Sequence, residues 1–173
     1  MNKPSSCGHS GIHLLPLLRG RAQAEARITG SESYPAISGL VRFFQTGCGV
    51  IVCAEICGLP QDSRACHERI FGFHIHEGTS CGSGMDGAFA GAMSHYNPND
   101  CGHPHHAGDL PPLFGNNGLA LSAFLTNRFS VDEVTGRTVI IHDQPDDFTT
   151  QPSGNSGTKI ACGVIRSTRA SCR

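Results

Sequence analysis

Two histidines stand two residues apart in the apolar segment FGFHIHE, which covers residues 71–77. Three bulky apolar residues of this segment alternate with Gly72, His74 and His76, and a period of two residues is typical of a β-strand. Such a strand directs its apolar side chains into a core and presents both imidazoles on the opposite face. The ring nitrogens of His74 and His76 then lie close enough to bind one ion, so the segment predicts a β-sheet domain with a metal site.

The histidines of the chain are concentrated around this strand. Six of the ten lie between residues 71 and 109, and residues 78–106 are rich in Gly, Ser, Asn, Asp and Pro without an apolar period. Loops of this length in compact domains are usually functional or disordered, and the ligand-type side chains favour a functional loop ordered by metal. Sets of three or four His and carboxylate ligands suit Zn²⁺ and Cu²⁺. The candidate ligands are His74 with His76, His95, the run HPHHAGD at residues 103–109, and His142 at the end of a predicted strand.

The remaining sequence is typical of an all-β domain. Its 22 glycines and 10 prolines separate short segments rich in Val, Ile, Thr and Phe, and only 16% of the residues are charged, which favours strands joined by tight turns. Eight strands are predicted: ARITGS, SGLVRFFQTG, GVIVCAEICGLP, residues 69–77, 110–114 and 119–126, RTVIIHD and KIACGVIR. Two long polar loops, at residues 78–106 and 143–158, interrupt them.

The length of 173 residues fits one domain. We expect an N-terminal arm at residues 1–23, the β domain at residues 24–166 and a C-terminal tail at residues 167–173. The net charge of -1 and the absence of a Lys/Arg run argue against nucleic acid as a partner. No apolar segment approaches the roughly 20 residues that a membrane span needs.

The N-terminal segment LLPLL is short, contains Pro16 and is followed by Arg19. It resembles a secretory signal only poorly, and a cytoplasmic location is expected rather than secretion. Nine cysteines cannot pair completely within one chain, which also disfavours a secreted, fully cross-linked scaffold. Four of them lack CxxC spacing, which favours buried thiols over a zinc ribbon: Cys48, Cys53, Cys57 and Cys66. Cys7 and Cys172 lie in the terminal segments.

Five segments, in this order, resemble motifs of the copper-zinc superoxide dismutase family: GFHIHE (72–77), SHYNP (94–98), HAGDLP (106–111), IHDQPDDF (141–148) and GNSGTKIACGVI (154–165). The resemblance extends over residues 24–166. It implies an eight-stranded antiparallel Greek-key β-barrel or sandwich, immunoglobulin-like in architecture, with two long metal-site loops. It also implies one copper and one zinc per chain, and conversion of superoxide to dioxygen and hydrogen peroxide by Cu(II)/Cu(I) cycling.

The resemblance implies a role for each matching residue. The copper ligands would be His74, His76, His95 and His142, and the zinc ligands would be His95, His103, His106 and Asp109. His95 would bridge the two metals and deliver a proton to the second superoxide. Asp146 would link His74 to His103. Cys81 would pair with Cys162 and fasten the loop at residues 78–106, called the histidine-rich loop below, to the last strand. Lys159 stands where the family has an arginine that attracts the anion, and it keeps the positive charge.

Several features depart from the family pattern. The run from His103 to His106 is short, so His105 competes with these two histidines for zinc. The loop at residues 143–158 contains no lysine, so weak steering of the anion is expected. The spacing from His76 to Cys81 is also short. It shortens the loop that forms the dimer contact in many members of the family, so a homodimer is possible but is not implied by the resemblance. Two alternatives to the enzyme follow: a non-catalytic copper- and zinc-binding relative, and a copper-only dismutase with a vacant zinc site.

Overall fold

The computed structural model describes residues 20–62, 69–85 and 87–168. The described strands are β1 (Ala24–Gly30), β2 (Ser38–Thr46), β3 (Gly49–Cys57), β4 (Ile70–Phe71), β5 (Phe73–His76), β6 (Leu113–Phe114), β7 (Ala120–Thr126), β8 (Thr138–His142) and β9 (Lys159–Ser167). A one-turn helix, α1 (Val131–Val134), precedes β8, and a 3-10 turn (Ala90–Ala92) lies in the histidine-rich loop. Ser130 is the N-cap of helix α1, and its side chain forms a capping box with Glu133. None of the helices in these ranges is long and apolar enough to cross a membrane.

Seven strands form a curled antiparallel sheet in the order β5-β8-β9-β1-β2-β3-β7. The first and last strands of the chain therefore pair with each other in the middle of the sheet, which places strands that are distant in sequence side by side. Strands β4 and β6 form a separate short ladder, and β6 also lies against β7. Apolar side chains from both sheets pack together in one core cluster, among them the fully buried Phe43, Phe71, Phe73 and Ile75. The predicted all-β Greek-key fold is confirmed.

One predicted strand, residues 69–77, is divided into β4 and β5 at Gly72, so nine strands are described rather than eight. On one side of Gly72 the chain pairs with β6, and on the other it pairs with β8. Gly72 itself donates its N–H to the carbonyl of Gln144 (2.7 Å) and accepts from the N–H of His142 (2.9 Å). A Cβ at this position would lie only 2.9 Å from the side chain of Ser156, so a larger residue here would require Ser156 to move.

Strand β5 is the end strand of the seven-stranded sheet, and the histidine-rich loop covers its free edge. The N–H of Ile75 donates to Gly108 (2.9 Å), and the carbonyl of Ile75 accepts from Tyr96 (2.8 Å). His74 and His76 do face away from the apolar core as predicted, but the loops cover them, and their exposed fractions are 0% and 2%. The backbone of β5 thus fixes the loop residues directly beside the two histidines.

Two of the four cysteines that lack CxxC spacing differ from the prediction of buried thiols. Cys48 takes part in a disulfide, and Cys57 is an exposed free thiol near the end of β3. Cys53 is a buried free thiol, as predicted, because it belongs to a small apolar cluster with Phe44 and Ile51. Cys66, Cys7 and Cys172 lie outside the described residues, as do most of the N-terminal arm on which the expected location depends and most of the C-terminal tail.

Candidate metal centre

Two groups of ligand-type side chains meet between β5, β8 and the two long loops. The four-histidine cluster consists of His74, His76, His95 and His142. The three-histidine/aspartate cluster consists of His95, His103, His106 and Asp109. In each cluster the donor atoms all lie within 4.8 Å of one another, and every member is buried. His95 belongs to both clusters.

In the four-histidine cluster, three imidazoles have one ring nitrogen engaged by the protein. His74 Nε2 lies 2.7 Å from an Asp146 carboxylate oxygen. His76 Nδ1 lies 2.8 Å from the Met93 carbonyl, and His142 Nδ1 lies 3.3 Å from the Gly157 carbonyl. These contacts leave His74 Nδ1, His76 Nε2 and His142 Nε2 facing the interior of the cluster, and the last two are 3.3 Å apart.

The three-histidine/aspartate cluster is organised around the Asp109 carboxylate. His95 Nδ1 lies 2.8 Å from its Oδ1, and His103 Nδ1 and His106 Nδ1 lie 3.0 Å and 3.3 Å from its two oxygens. The contacts of His103 Nδ1 and His106 Nδ1 with Asp109 do not have hydrogen-bond geometry. Both nitrogens are therefore buried without a hydrogen-bond partner. Three nitrogens and a carboxylate oxygen that converge in this way match the ligand set of a four-coordinate zinc.

Buried nitrogens without partners provide a test of whether the residues fit metal ions. Those that belong to histidines are His74 Nδ1, His95 Nε2, His103 Nδ1 and His106 Nδ1. An unsatisfied buried polar atom costs free energy, and all four of these atoms point into one of the two clusters. A metal ion in each cluster would satisfy them, so the residues present fit two ions.

Asp146 connects the two clusters from behind. One carboxylate oxygen lies 2.7 Å from His74 Nε2 and the other lies 2.8 Å from His103 Nε2. Burial raises the pKa of Asp146, but the hydrogen bonds from His74, the Phe148 N–H and His103 outweigh burial and hold that pKa well below its usual range. The ionised carboxylate accepts both ring N–H groups, which directs the Nδ1 atoms of His74 and His103 into the clusters.

Burial also keeps three of the imidazoles, those of His74, His76 and His142, neutral. Loss of hydration lowers the pKa of His74 to about 4 and the pKa of His142 to about 3. The pKa of His76 is lowered well below its ordinary value for the same reason, with the charges of His142 and His95 adding to the shift. A neutral imidazole has the free lone pair that a metal ion requires.

The model of the family described as copper/zinc superoxide dismutase (SODC) matches residues 37–165. The chain belongs to this family. A superoxide dismutase (Cu-Zn) 2 of Aquifex aeolicus is 32% identical over 159 residues, which cover 83% of this chain and 86% of the relative. A superoxide dismutase (Cu-Zn) of Legionella pneumophila is 35% identical over 141 residues, or 76% of this chain and 80% of the relative.

In this copper/zinc superoxide dismutase fold, the four-histidine cluster opens onto a surface cavity of about 480 Å³. His76, His95, His142 and Lys159 are among the residues that line it. Lys159 Nζ donates to the carbonyls of Met93 (2.9 Å) and Phe89 (3.4 Å), and partial burial lowers its pKa. The Met93 carbonyl therefore accepts hydrogen bonds from both the Lys159 ammonium and His76 Nδ1.

The structure brings together all of the side chains assigned from the sequence except His105. His105 is exposed and belongs to neither cluster. Cys81 and Cys162 form a disulfide between residues 81 positions apart in sequence. The sequence did not indicate the carbonyls of Met93 and Gly157, because a backbone acceptor has no residue-type signature. The one related sequence signal is the glycine at position 157, whose backbone adopts a left-handed φ of 77°.

Proposed function

We propose that the chain converts superoxide to dioxygen and hydrogen peroxide, with one copper in the four-histidine cluster and one zinc in the three-histidine/aspartate cluster. The observation that carries the proposal is His95, which belongs to both clusters. Its Nδ1 is directed to Asp109, and its Nε2 is buried without a partner. Family membership and the relatives named above support the same activity.

A copper ion held by His74, His76, His95 and His142 would supply the electron transfer, since Cu(II)/Cu(I) cycling would oxidise one superoxide and reduce the next. Overall, two superoxide anions and two protons give one dioxygen and one hydrogen peroxide. The protein holds the nitrogen ligands and moves the protons. We assign proton delivery to His95 Nε2, since His95 lines the cavity through which the anion reaches the cluster. Asp109 and Asp146 hold the rings around it in position.

We assign the attraction of superoxide to Lys159. Its ammonium group lies at the cavity wall and is fixed by two backbone carbonyls. A positive charge in a cleft raises the local concentration of an anion and its association rate. Lysine offers a point charge where arginine would offer a planar fork of donors, so Lys159 is proposed to guide the anion rather than to clamp it.

The activity is tested with His142→Ala, which removes one nitrogen from the four-histidine cluster and none from the other. We expect this variant to keep zinc, to lose copper and to lose superoxide decay, measured by metal analysis and stopped-flow spectroscopy. His105→Ala is the matched control, because His105 is exposed and outside both clusters, and it should resemble the wild type. Equal decay rates for wild type and His142→Ala would reject copper catalysis.

Two alternatives give different results in the same metal analysis. A non-catalytic relative would bind metal without accelerating superoxide decay. A copper-only dismutase would be active with no zinc bound. The four convergent donors of the three-histidine/aspartate cluster favour zinc occupancy, which argues against the copper-only dismutase. The presence of all four histidines in the other cluster argues against the non-catalytic relative.

A homodimer is a separate proposal. Leu119, Leu121 and Leu125 on one face of β7 and the turn before it are 55%, 82% and 47% exposed. Burial of this apolar stripe against a second copy would remove it from water. Sedimentation velocity at micromolar concentration tests the proposal, and a single monomeric species would reject it.

A further inference from the structure

Arg128 lies between β7 and helix α1, outside both metal clusters, and makes an unusual set of contacts. Its Nη1 donates to the backbone carbonyls of Pro104 (3.1 Å), His106 (3.2 Å) and Asp109 (3.1 Å). Two of these carbonyls belong to members of the three-histidine/aspartate cluster, and the third belongs to the residue after His103. One guanidinium nitrogen thus contacts the backbone at three points of a six-residue segment.

Residues 103–109 form no helix or extended strand, and of the carbonyls that Arg128 contacts, that of His106 also accepts the N–H of Asp109 (3.2 Å). Backbone carbonyls in such a segment lack the ladder partners of a sheet. Three carbonyl dipoles that point toward the same spot also repel one another, and a cation between them removes the repulsion. In the described part of the chain Arg128 forms no ion pair with a carboxylate, so its charge is directed to these three oxygens.

The contacts complement those that act on the side chains of the same residues. Asp109 Oδ2 accepts from the N–H of His106 (3.0 Å), and Asp146 orients His103. These bonds set the directions of individual donors. The backbone positions of these residues are set separately. Arg128 contacts the backbone of His106, of Asp109 and of Pro104, which follows His103.

We propose that Arg128 is a positioning residue for zinc, which holds the backbone of residues 103–109 in the ligand geometry before the ion binds. This inference rests on the proposed zinc site. A preorganised ligand set binds more tightly because less conformational entropy is lost on binding. Removal of groups that support metal ligands typically lowers metal affinity about 10- to 100-fold.

Arg128→Gln removes the charge, and Arg128→Lys keeps it with a shorter side chain. Arg27→Gln is the matched control, because the Arg27 side chain is 81% exposed on β1. Zinc affinity is measured by competition with a chromophoric chelator, and the ligand geometry is read from the absorption spectrum of Co²⁺ bound in place of zinc. Hydrogen exchange of the amides at residues 103–109 is measured in the metal-free protein.

We expect Arg128→Gln to lower zinc affinity about tenfold, to alter the Co²⁺ spectrum and to speed amide exchange, with Arg128→Lys intermediate and Arg27→Gln unchanged. A zinc affinity of Arg128→Gln within twofold of the wild type would overturn the inference. So would equal losses of thermal stability with and without zinc, because they would show a structural role only. If the wild type itself bound no zinc, the proposed zinc site would fail instead.

Discussion

Where the protein contacts one ring nitrogen of a histidine, the other ring nitrogen points into a cluster. The protein contact therefore determines which of the two nitrogens is the candidate metal ligand. Asp146 selects Nδ1 of His74, whereas the Met93 carbonyl selects Nε2 of His76. Two histidines that lie two residues apart on one strand therefore present different nitrogens to the same centre.

Lys159 can be tested by removal of its charge. Lys159→Gln should lower kcat/KM for superoxide about three- to tenfold and weaken its dependence on ionic strength, because the attraction acts through a single charge at the cavity wall. Lys159→Arg should retain at least the wild-type rate. Superoxide decay at low and high salt measures both effects.

The control for this experiment is Arg166→Gln, which makes the same change in net charge at an exposed position of the same strand. If Arg166→Gln and Lys159→Gln slowed the reaction equally, the effect would belong to overall charge, and the role assigned to Lys159 would be wrong.

At this scale the sequence was informative where function depends on the residue type. The spacing of His74 and His76 predicted a shared site, and the other histidines of the loops and of β8 were candidate ligands by residue type. Motif resemblance then assigned each ligand to a metal and added Asp146. The sequence left His103, His105 and His106 as competitors. Side-chain direction in an irregular segment decides among them, and no periodicity predicts that direction. The contacts of Arg128 were invisible for a related reason, since its partners are carbonyls.

Among the elements, β5 and the histidine-rich loop behave as one unit. The strand pairs with β8 on one side and with loop residues on the other, so the loop adopts its position from the sheet. The sequence predicted the apolar alternation of this strand correctly. It did not predict the division at Gly72, because a glycine within an alternating run is compatible with an unbroken strand, and only the positions of β6 and β8 show the exchange of partners.

The Cys81–Cys162 disulfide fastens the same loop to β9. The double variant Cys81→Ser, Cys162→Ser should lower the unfolding free energy of the metal-free protein by about 4 to 5 kcal/mol in the chain-entropy model. Urea denaturation measures the change. Cys101→Ser, which alters an exposed free thiol, should have little effect. A loss no larger than that of Cys101→Ser would show that the contacts of the loop, rather than the disulfide, hold it in place.

For the whole molecule, the buried imidazoles predict a pH dependence of folding. In the folded metal-free protein the pKa of His74 is about 4 and that of His142 is about 3, below the ordinary 6.5. Between these values the unfolded chain binds more protons than the folded chain, so stability falls as pH falls below about 6.5. Stability should therefore rise with pH from about 4 to about 6.5 and then level off.

Urea midpoints of the metal-free protein across this range measure the effect. His142→Gln should show a weaker rise, because one of the groups that must stay neutral in the folded state is absent. Midpoints that are constant or that increase toward acid would contradict the argument, and an unchanged slope in His142→Gln would assign the effect to other groups.

The presence of His95 in both clusters has a consequence for how the two metals influence each other. Binding free energies are independent of the order of loading, so any factor by which zinc changes the affinity for copper is the factor by which copper changes the affinity for zinc. Asp146, which orients one ring in each cluster, provides a second link of the same kind. A shortage of one metal therefore changes the retention of the other by the same factor in either direction, and where zinc strengthens copper binding, a cell short of zinc would also retain less copper in this protein.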